Sequence, residues 1–126
     1  MISFFVPGRP RSTQTGSVVR VKGRAIPLRM NTPWSAYVGL IARQHAPQMP
    51  LDGPLALTLE FSRLRPKHGR HVCPVTRPDL ENLSKGLLDA LQGILYHDDA
   101  QIVELGLRKV YGLREGVNVT CSEMAP

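Results

Sequence analysis

The alternation of apolar and polar side chains predicts where this chain forms strands. The clearest case lies at residues 54–62, where Leu55, Leu57, Leu59 and Phe61 alternate with smaller or polar residues, the period of a half-buried strand. Four further runs, with β-branched residues or apolar alternation, are also predicted to be strands: residues 2–6, 17–21, 103–110 and 116–121. Because a Gly-containing turn separates the last two runs, we expect them to pair as a hairpin.

A period of three to four residues predicts two amphipathic helices. Thr32-Pro33 has the form of an N-cap followed by proline, and apolar residues then recur at helical spacing until Pro47, which predicts a helix at residues 33–45. Downstream, four leucines fall within an arc of about 80° on an ideal helix: Leu80, Leu83, Leu87 and Leu91. They predict a second helix at residues 79–92 with its leucine face toward the core.

Length and composition indicate one domain over residues 1–126. A chain of this size buries roughly two thirds of its unfolded surface without disulfides or metals, and its 42% hydrophobic content is ordinary for a globular protein. Cys73 and Cys121 have neither zinc-ligand nor disulfide-framework spacing, which favours a reducing compartment, the cytoplasm. The sequence starts without a leader-like segment and contains no apolar run of about 18 residues, so secretion and membrane insertion are not expected.

Charge is distributed unevenly along the chain. Of the 16 Lys and Arg residues, 12 precede Asp79, whereas only two of the ten acidic residues do. A net charge of +6 favours a polyanionic partner, of which nucleic acid is the leading candidate. The candidate DNA-binding residues lie in two basic loops and beside the acidic segment: Arg9, Arg11, Arg24, Lys67, Arg70 and Arg77. The alternative is that these loops are only solvated, because charge runs are common on surfaces.

The second predicted helix carries a polar face opposite its leucines. Within an arc of about 100°, this face bears two carboxylates, an amide and an ammonium group: Glu81, Asn82, Lys85 and Asp89. Asp79 stands at the start of the helix, and Asp98-Asp99 follow its end by a short loop, close enough to fold back over the helix. Acidic side chains of a basic protein are therefore concentrated around one helix.

These side chains are of the type needed to hydrolyse a phosphodiester. Mg²⁺ neutralises the non-bridging oxygens, activates water and assists the leaving oxygen when hard oxygen ligands hold it with open positions. Four carboxylates are candidate ligands: Asp79, Glu81, Asp98 and Asp99. Lys85, one turn beyond Glu81, is placed to orient the attacking water or to stabilise the developing charge.

The same residues have ordinary structural explanations. Asp79 with Asn82 is a good N-cap arrangement, and Glu81 to Lys85 is a favourable i,i+4 pair. Asp98-Asp99 can be a solvated turn. Spacing alone therefore leaves a helix cap and a metal site as alternatives.

At these residues the chain resembles a known family. The run Arg-Pro-Asp-Leu-Glu-Asn-Leu-x-Lys, then Leu-Leu-Asp-Ala-Leu, then Asp-Asp-Ala-Gln-Ile-Val-Glu and finally Arg108-Lys109 is similar to the signature of the RusA family of crossover (Holliday) junction endodeoxyribonucleases. The dense match covers residues 77–109. The motif is specific because its parts occur in order and at suitable separation.

The resemblance implies a small α+β enzyme, here with a mixed or antiparallel sheet packed by helices at about 33–45 and 79–92. It implies a homodimer that resolves four-way DNA junctions by paired symmetric nicks, in recombination and repair, using Mg²⁺ or Mn²⁺. A compact basic resolvase of this kind would suit a phage or prophage as well as a bacterial chromosome.

The resemblance also assigns roles to residues of this sequence. Asp79, the residue at 81 and Asp99 look like the metal-binding acids, with Asp98 beside them and Lys85 as the catalytic lysine. The family usually has aspartate where this chain has Glu81, and one extra methylene moves the carboxylate by about an ångström, which metal sites tolerate poorly.

Two other functional classes stay open from the sequence. The chain can be a junction-binding protein that has lost cleavage, with Glu81 as the cause. It can also be an accessory protein that binds nucleic acid through its basic loops, with Asp79 and Glu81 only capping a helix.

Overall fold

The computed structural model describes residues 1–11, 17–28 and 33–125. For residues 17–21 and 24–28 it describes the backbone alone. The elements in chain order are β1 (Ile2–Pro7), β2 (Ser17–Val21), β3 (Arg24–Leu28), α1 (Pro33–His45), β4 (Leu55–Leu64), α2 (Leu80–Leu91), a short 3₁₀ turn (Asp99–Gln101), β5 (Ile102–Gly112) and β6 (Gly116–Glu123). The predicted helices and strands are thus confirmed, with ends that differ by one or two residues. The predicted N-cap at Thr32 lies outside the described residues.

The main sheet has four strands in the order β1-β6-β4-β5. β4 occupies an interior position, because it pairs antiparallel with β6 and parallel with β5. β1 pairs antiparallel with β6 on the other side. β2 and β3 form a separate two-stranded hairpin. Together with the two helices, this mixed sheet confirms the α+β fold class.

The hairpin predicted between the last two strands is wrong. β5 and β6 both exist, but β4 lies between them. Their connection crosses the end of β4, where the Ser62 hydroxyl donates a hydrogen bond to the Arg114 carbonyl at 2.8 Å. A Cβ at Gly112 would overlap the Ser62 hydroxyl, so any other residue there would displace the group that bonds this connection. Apolar alternation sets which face of a strand is buried but does not choose its neighbours, and the strongly apolar β4 takes the place with two partners.

The core lies between one face of the sheet and the two helices. Alternate residues of β4 are buried to within 1% exposure: Leu55, Leu57, Leu59 and Phe61. From α2, the predicted leucine face supplies Leu83, Leu87 and Leu91, each at most 2% exposed. α1 approaches α2 closely at Gly39, where an added Cβ would touch Ile94 and Ala90. This packing holds α2 against the sheet and leaves its polar face open to solvent.

Among the described residues, no helix combines the length and apolar character needed to cross a membrane.

Candidate active site

Asp79 begins α2 as its N-cap. Its backbone is extended, with φ −80° and ψ 162°, and its Oδ1 accepts a hydrogen bond from the Asn82 backbone N–H at 2.9 Å. The sequence supports this because aspartate is among the best N-cap residues. The bond uses one carboxylate oxygen and fixes the direction of the other. Capping the helix and binding a ligand are therefore compatible roles for this side chain.

Glu81 and Lys85 lie on the open face of α2, one turn apart. Lys85 Nζ and Glu81 Oε1 are 3.2 Å apart, with side chains 57% and 80% exposed. An exposed i,i+4 pair of this kind contributes only about 0.3–0.5 kcal/mol. Either side chain can consequently turn to a new partner at little cost.

A shallow open depression lies beside this helix start. It has a volume of about 270 Å³ and is lined by Arg77, Pro78, Asp79 and Asn82. A basic residue and an acidic residue thus line the same concavity. Such a pairing suits a phosphate group, which the cation attracts, together with a cation held by the carboxylate.

Two basic side chains from the sheet hold the backbone that leads into Asp79. Lys109 Nζ donates to the carbonyls of Thr76 and Pro78 at 3.1 Å and 3.3 Å. Arg63 Nη1 donates to Thr76 Oγ1 and to the Arg77 carbonyl at 3.1 Å and 3.2 Å. The sequence analysis assigned neither residue a role in the site, although Lys109 belongs to the family signature. A second signal for Lys109 was its phase, because it alternates with Leu105 and Leu107 along β5.

The turn that carries the second pair of acids is held by Gln101. The Asp98 side chain accepts from the Ala100 N–H at 2.9 Å, and Gln101 Oε1 accepts from the Asp98 N–H at 3.0 Å, which is a capping box. Gln101 Nε2 donates to the carbonyls of Leu51 and Gly53 at 2.8 Å and 3.1 Å. This turn is therefore more than a solvated connection, because the Gln101 side chain bonds it to the backbone of a separate part of the chain.

Asp99 has two carboxylate neighbours. A hydrogen bond with the Asp98 side chain, assisted by partial desolvation and the charges of Asp98 and Asp89, raises the pKa of Asp99 above its ordinary range. Beneath it, the buried Tyr96 donates its hydroxyl proton to the Leu88 carbonyl at 2.7 Å, and burial followed by the charge of Asp99 raises the Tyr96 pKa. Carboxylates this close favour a proton or a cation between them.

The candidate metal ligands form two pairs at opposite ends of α2. The N-terminal acid pair is Asp79 with Glu81, and the C-terminal acid pair is Asp98 with Asp99, whose backbone N–H donates to Gln92 at 3.3 Å just beyond the helix. At 1.5 Å per residue, Asp79 and Asp89 are about 15 Å apart along the axis. Asp98 and Asp99 do return beside the helix, but at its C-terminal end. Within the described ranges, no three His, Cys, Asp or Glu side chains come together as one metal site.

Most candidate DNA-binding residues lie at one end of the sheet. β1 ends where Pro7 pairs with Gly116, and β4 and β5 end beside it at Leu64 and Gly112. The segments at this end, the basic end of the sheet, carry five exposed basic side chains: Arg9, Arg11, Lys67, Arg70 and Arg77. α2 begins at the same end, since Lys109 bonds the residues before it. The basic loops and the N-terminal acid pair therefore lie at the same end of the sheet. The side chain of Arg24 lies outside the described residues.

Comparison with known families agrees with this arrangement. The family model described as endodeoxyribonuclease RusA matches residues 7–122, which is nearly the whole chain. The chain belongs to the RusA family. RusA membership supports an endodeoxyribonuclease that acts at Holliday junctions, and with it the binding of branched DNA. The match also extends the resemblance from the acidic segment to strands β4 and β6.

A bacterial relative shares most of this RusA-family sequence. The protein named uncharacterized protein YqaN of Bacillus subtilis (strain 168) is 30% identical over 130 residues, covering 94% of this chain and 89% of its own length. The similarity therefore spans both acid pairs and the basic loops rather than one motif.

Proposed function

We propose that this protein is a Mg²⁺-dependent, structure-specific endodeoxyribonuclease that resolves four-way DNA junctions by paired symmetric nicks in recombination and repair. The observation that carries the proposal is the placement of Asp79. This carboxylate is oriented by the helix it caps, and it shares an open depression with Arg77 at the basic end of the sheet. A carboxylate that can bind a metal ion and a basic residue that can bind a phosphate therefore line the same depression.

The donor atoms fit a hard divalent cation. Mg²⁺ is commonly bound through one or two carboxylates, with water and phosphate oxygens completing its shell, and each acid pair offers two carboxylates in that form. Mn²⁺ accepts the same oxygen donors. When bound, the ion would neutralise charge on the scissile phosphate and lower the pKa of a bound water.

The protein's own groups do the remaining work. Arg77 binds a phosphate at the edge of the depression, which sets the register of the strand. The Asn82 N–H keeps Asp79 in one orientation. Lys85, held lightly by Glu81, is free to swing toward the phosphate and stabilise the negative charge that develops during displacement.

Paired nicking leads to a two-fold homodimer, because two opposed incisions need two equivalent sites. Two metal ions that share a phosphodiester lie about 4 Å apart, whereas Asp79 and Asp89, the helix residue whose charge acts on Asp99, are about 15 Å apart along α2. One chain therefore does not bring both pairs to the same phosphate. In the dimer, the N-terminal acid pair of one protomer meets the C-terminal acid pair of its partner.

The cleavage proposal is tested with a four-way junction labelled on each strand in turn. Purified protein is expected to nick opposed strands at symmetric positions in Mg²⁺ or Mn²⁺ and not in EDTA. Asp79→Asn should lose nicking while junction binding survives. Junction binding without any nicked product would identify a binding or accessory protein instead. Recovery of cleavage by Glu81→Asp would identify a lapsed nuclease.

The shared-site arrangement is tested by mixing two inactive variants. Homodimers of Asp79→Asn and of Asp99→Asn each lack an acid in both sites. A heterodimer of the two keeps one intact site only if the pairs meet across the dimer, and it should then nick a single strand. A heterodimer as inactive as its parents would show that each pair acts within its own chain.

A further inference from the structure

We infer that Lys109, together with Arg63, is a positioning residue for the N-terminal acid pair. The inference rests on the proposed function, because it assigns these two cations the task of presenting Asp79 to the metal and the phosphate. What distinguishes these two cations is the partner that each charged group binds. Both side chains bind the backbone of the segment before α2 rather than an acidic partner.

The contacts form a clamp on three consecutive residues. Lys109 Nζ bridges the carbonyls of Thr76 and Pro78, at 3.1 Å and 3.3 Å. Arg63 Nη1 bonds the Thr76 hydroxyl at 3.1 Å and the Arg77 carbonyl at 3.2 Å. Charge-assisted hydrogen bonds are roughly twice as strong as neutral ones. The segment that ends at Asp79 is thereby tied to two neighbouring strands.

The sheet register explains why both cations reach this segment. Lys109 is the Cα partner of Phe61, and Arg63 lies two residues beyond Phe61 on the same strand, so both side chains leave the face that packs against α2. The β4 residues on that face from Leu55 to Phe61 are apolar and buried, and Arg63 and Lys109 are half-buried. Within the part of the chain that the structure describes, neither forms a salt bridge.

Such a placement has a cost that packing alone does not explain. An apolar side chain on this face would avoid desolvating a charge. Ordering a lysine side chain also costs up to about 2 kcal/mol of conformational entropy. The clamp fixes the position of the backbone at the start of α2. A displacement of about 1 Å in a catalytic group can cost roughly 100-fold in rate. A loose segment at residues 76–78 is therefore expected to slow cleavage.

The test compares Lys109→Met with a matched control on the same strand. Arg108→Met removes the same charge from the next residue, whose side chain is 67% exposed on the opposite face of the sheet and lies 3.7 Å from Glu60. Lys109→Met should lower the nicking rate at saturating junction by roughly 10- to 100-fold and raise the Mg²⁺ concentration for half-maximal rate. Its junction affinity without metal should stay within about threefold of the wild type, since the ammonium lies behind the segment.

Arg108→Met should cleave like the wild type, and Lys109→Arg should recover much of the lost rate, because a guanidinium can reach the same carbonyls. The inference is overturned if Lys109→Met cleaves as well as Arg108→Met. It is also overturned if binding falls as much as cleavage, which would make Lys109 a DNA contact. Thr76→Val provides a milder variant that removes the bond between Arg63 and the Thr76 hydroxyl and keeps both charges, and it should lower the rate less, in the same direction.

A structural readout separates this inference from the proposed function. In the free protein, the backbone ¹⁵N order parameters of Thr76, Arg77 and Asp79 should fall from the rigid range near 0.85 toward about 0.6 in Lys109→Met and stay unchanged in Arg108→Met. If the wild type does not nick DNA but this loosening occurs, the cleavage proposal fails and the clamp stands. If order is unchanged in Lys109→Met, the clamp fails whether or not the protein cleaves.

Discussion

Asp79 has two roles that substitution can separate. Its carboxylate caps α2 through the bond with the Asn82 N–H, and the proposed chemistry requires the same carboxylate as a metal ligand. Asparagine keeps an oxygen that can accept the capping bond but loses the negative charge. Alanine removes both the oxygen and the charge. The variants Asp79→Asn and Asp79→Ala therefore differ in capping and agree in chemistry.

The expected stability changes follow from the geometry of the cap. The 2.9 Å bond is a well-formed N-cap contact, and replacing such a residue with alanine typically costs about 1 kcal/mol. Loss of the charge near the positive end of the helix dipole costs about 0.3–1 kcal/mol in either variant. We therefore expect Asp79→Asn to lower the free energy of unfolding by well under about 1 kcal/mol, and Asp79→Ala by about 1–2 kcal/mol.

Urea unfolding and junction cleavage, measured on the same preparations, test the capping role and the metal-ligand role separately. Both variants should lose Mg²⁺-dependent nicking by roughly 100-fold or more, although only Asp79→Ala loses the cap. Asp79→Ser, a good cap without a carboxylate, should behave like Asp79→Asn. Wild-type cleavage by Asp79→Asn would refute the metal-ligand role. Equal stability losses in Asp79→Asn and Asp79→Ala would refute the capping role.

Three other predictions concern regions outside the acid pairs. Tyr96→Phe removes the buried hydroxyl bond to the Leu88 carbonyl and should lower the free energy of unfolding by about 1 kcal/mol in urea titrations; unchanged stability would contradict the importance of this bond. Because burial raises the pKa of the Cys121 thiol while Cys73 is exposed, a thiol reagent at mildly alkaline pH should label one cysteine in the native protein and two in urea. Rapid labelling of both in the native state would show that the core around Cys121 opens. Arg77→Gln should weaken junction binding and reduce the slope of log affinity against log salt by about 1; an unaltered slope would remove Arg77 from the phosphate-binding surface.

The local elements of this protein were predictable from its sequence. The range of α1 and the leucine face of α2 follow from apolar spacing, and the cap at Asp79 follows from its residue type, because each depends on neighbours within about one helical turn. The apolar alternation of β4 identified its buried face for the same reason. The identity of the candidate site residues was also visible in the sequence, because the residue types and spacing of a motif indicate its chemistry without its three-dimensional arrangement.

Tertiary structure decided what depends on distant residues. β4 separates β5 from β6, because strand pairing is chosen across the sheet and a short turn does not determine it. Lys109 was visible in the sequence only as part of the family signature, and its contacts were not, since its carbonyl partners lie about 30 residues earlier and are brought to it only by the fold. The four candidate acids that form one cluster in the sequence lie at two ends of α2, because a rigid helix keeps Asp79 and Asp89 about 15 Å apart. Sequence thus determined which groups are present, whereas the packing of α2 on the sheet determined which of them one chain can bring together.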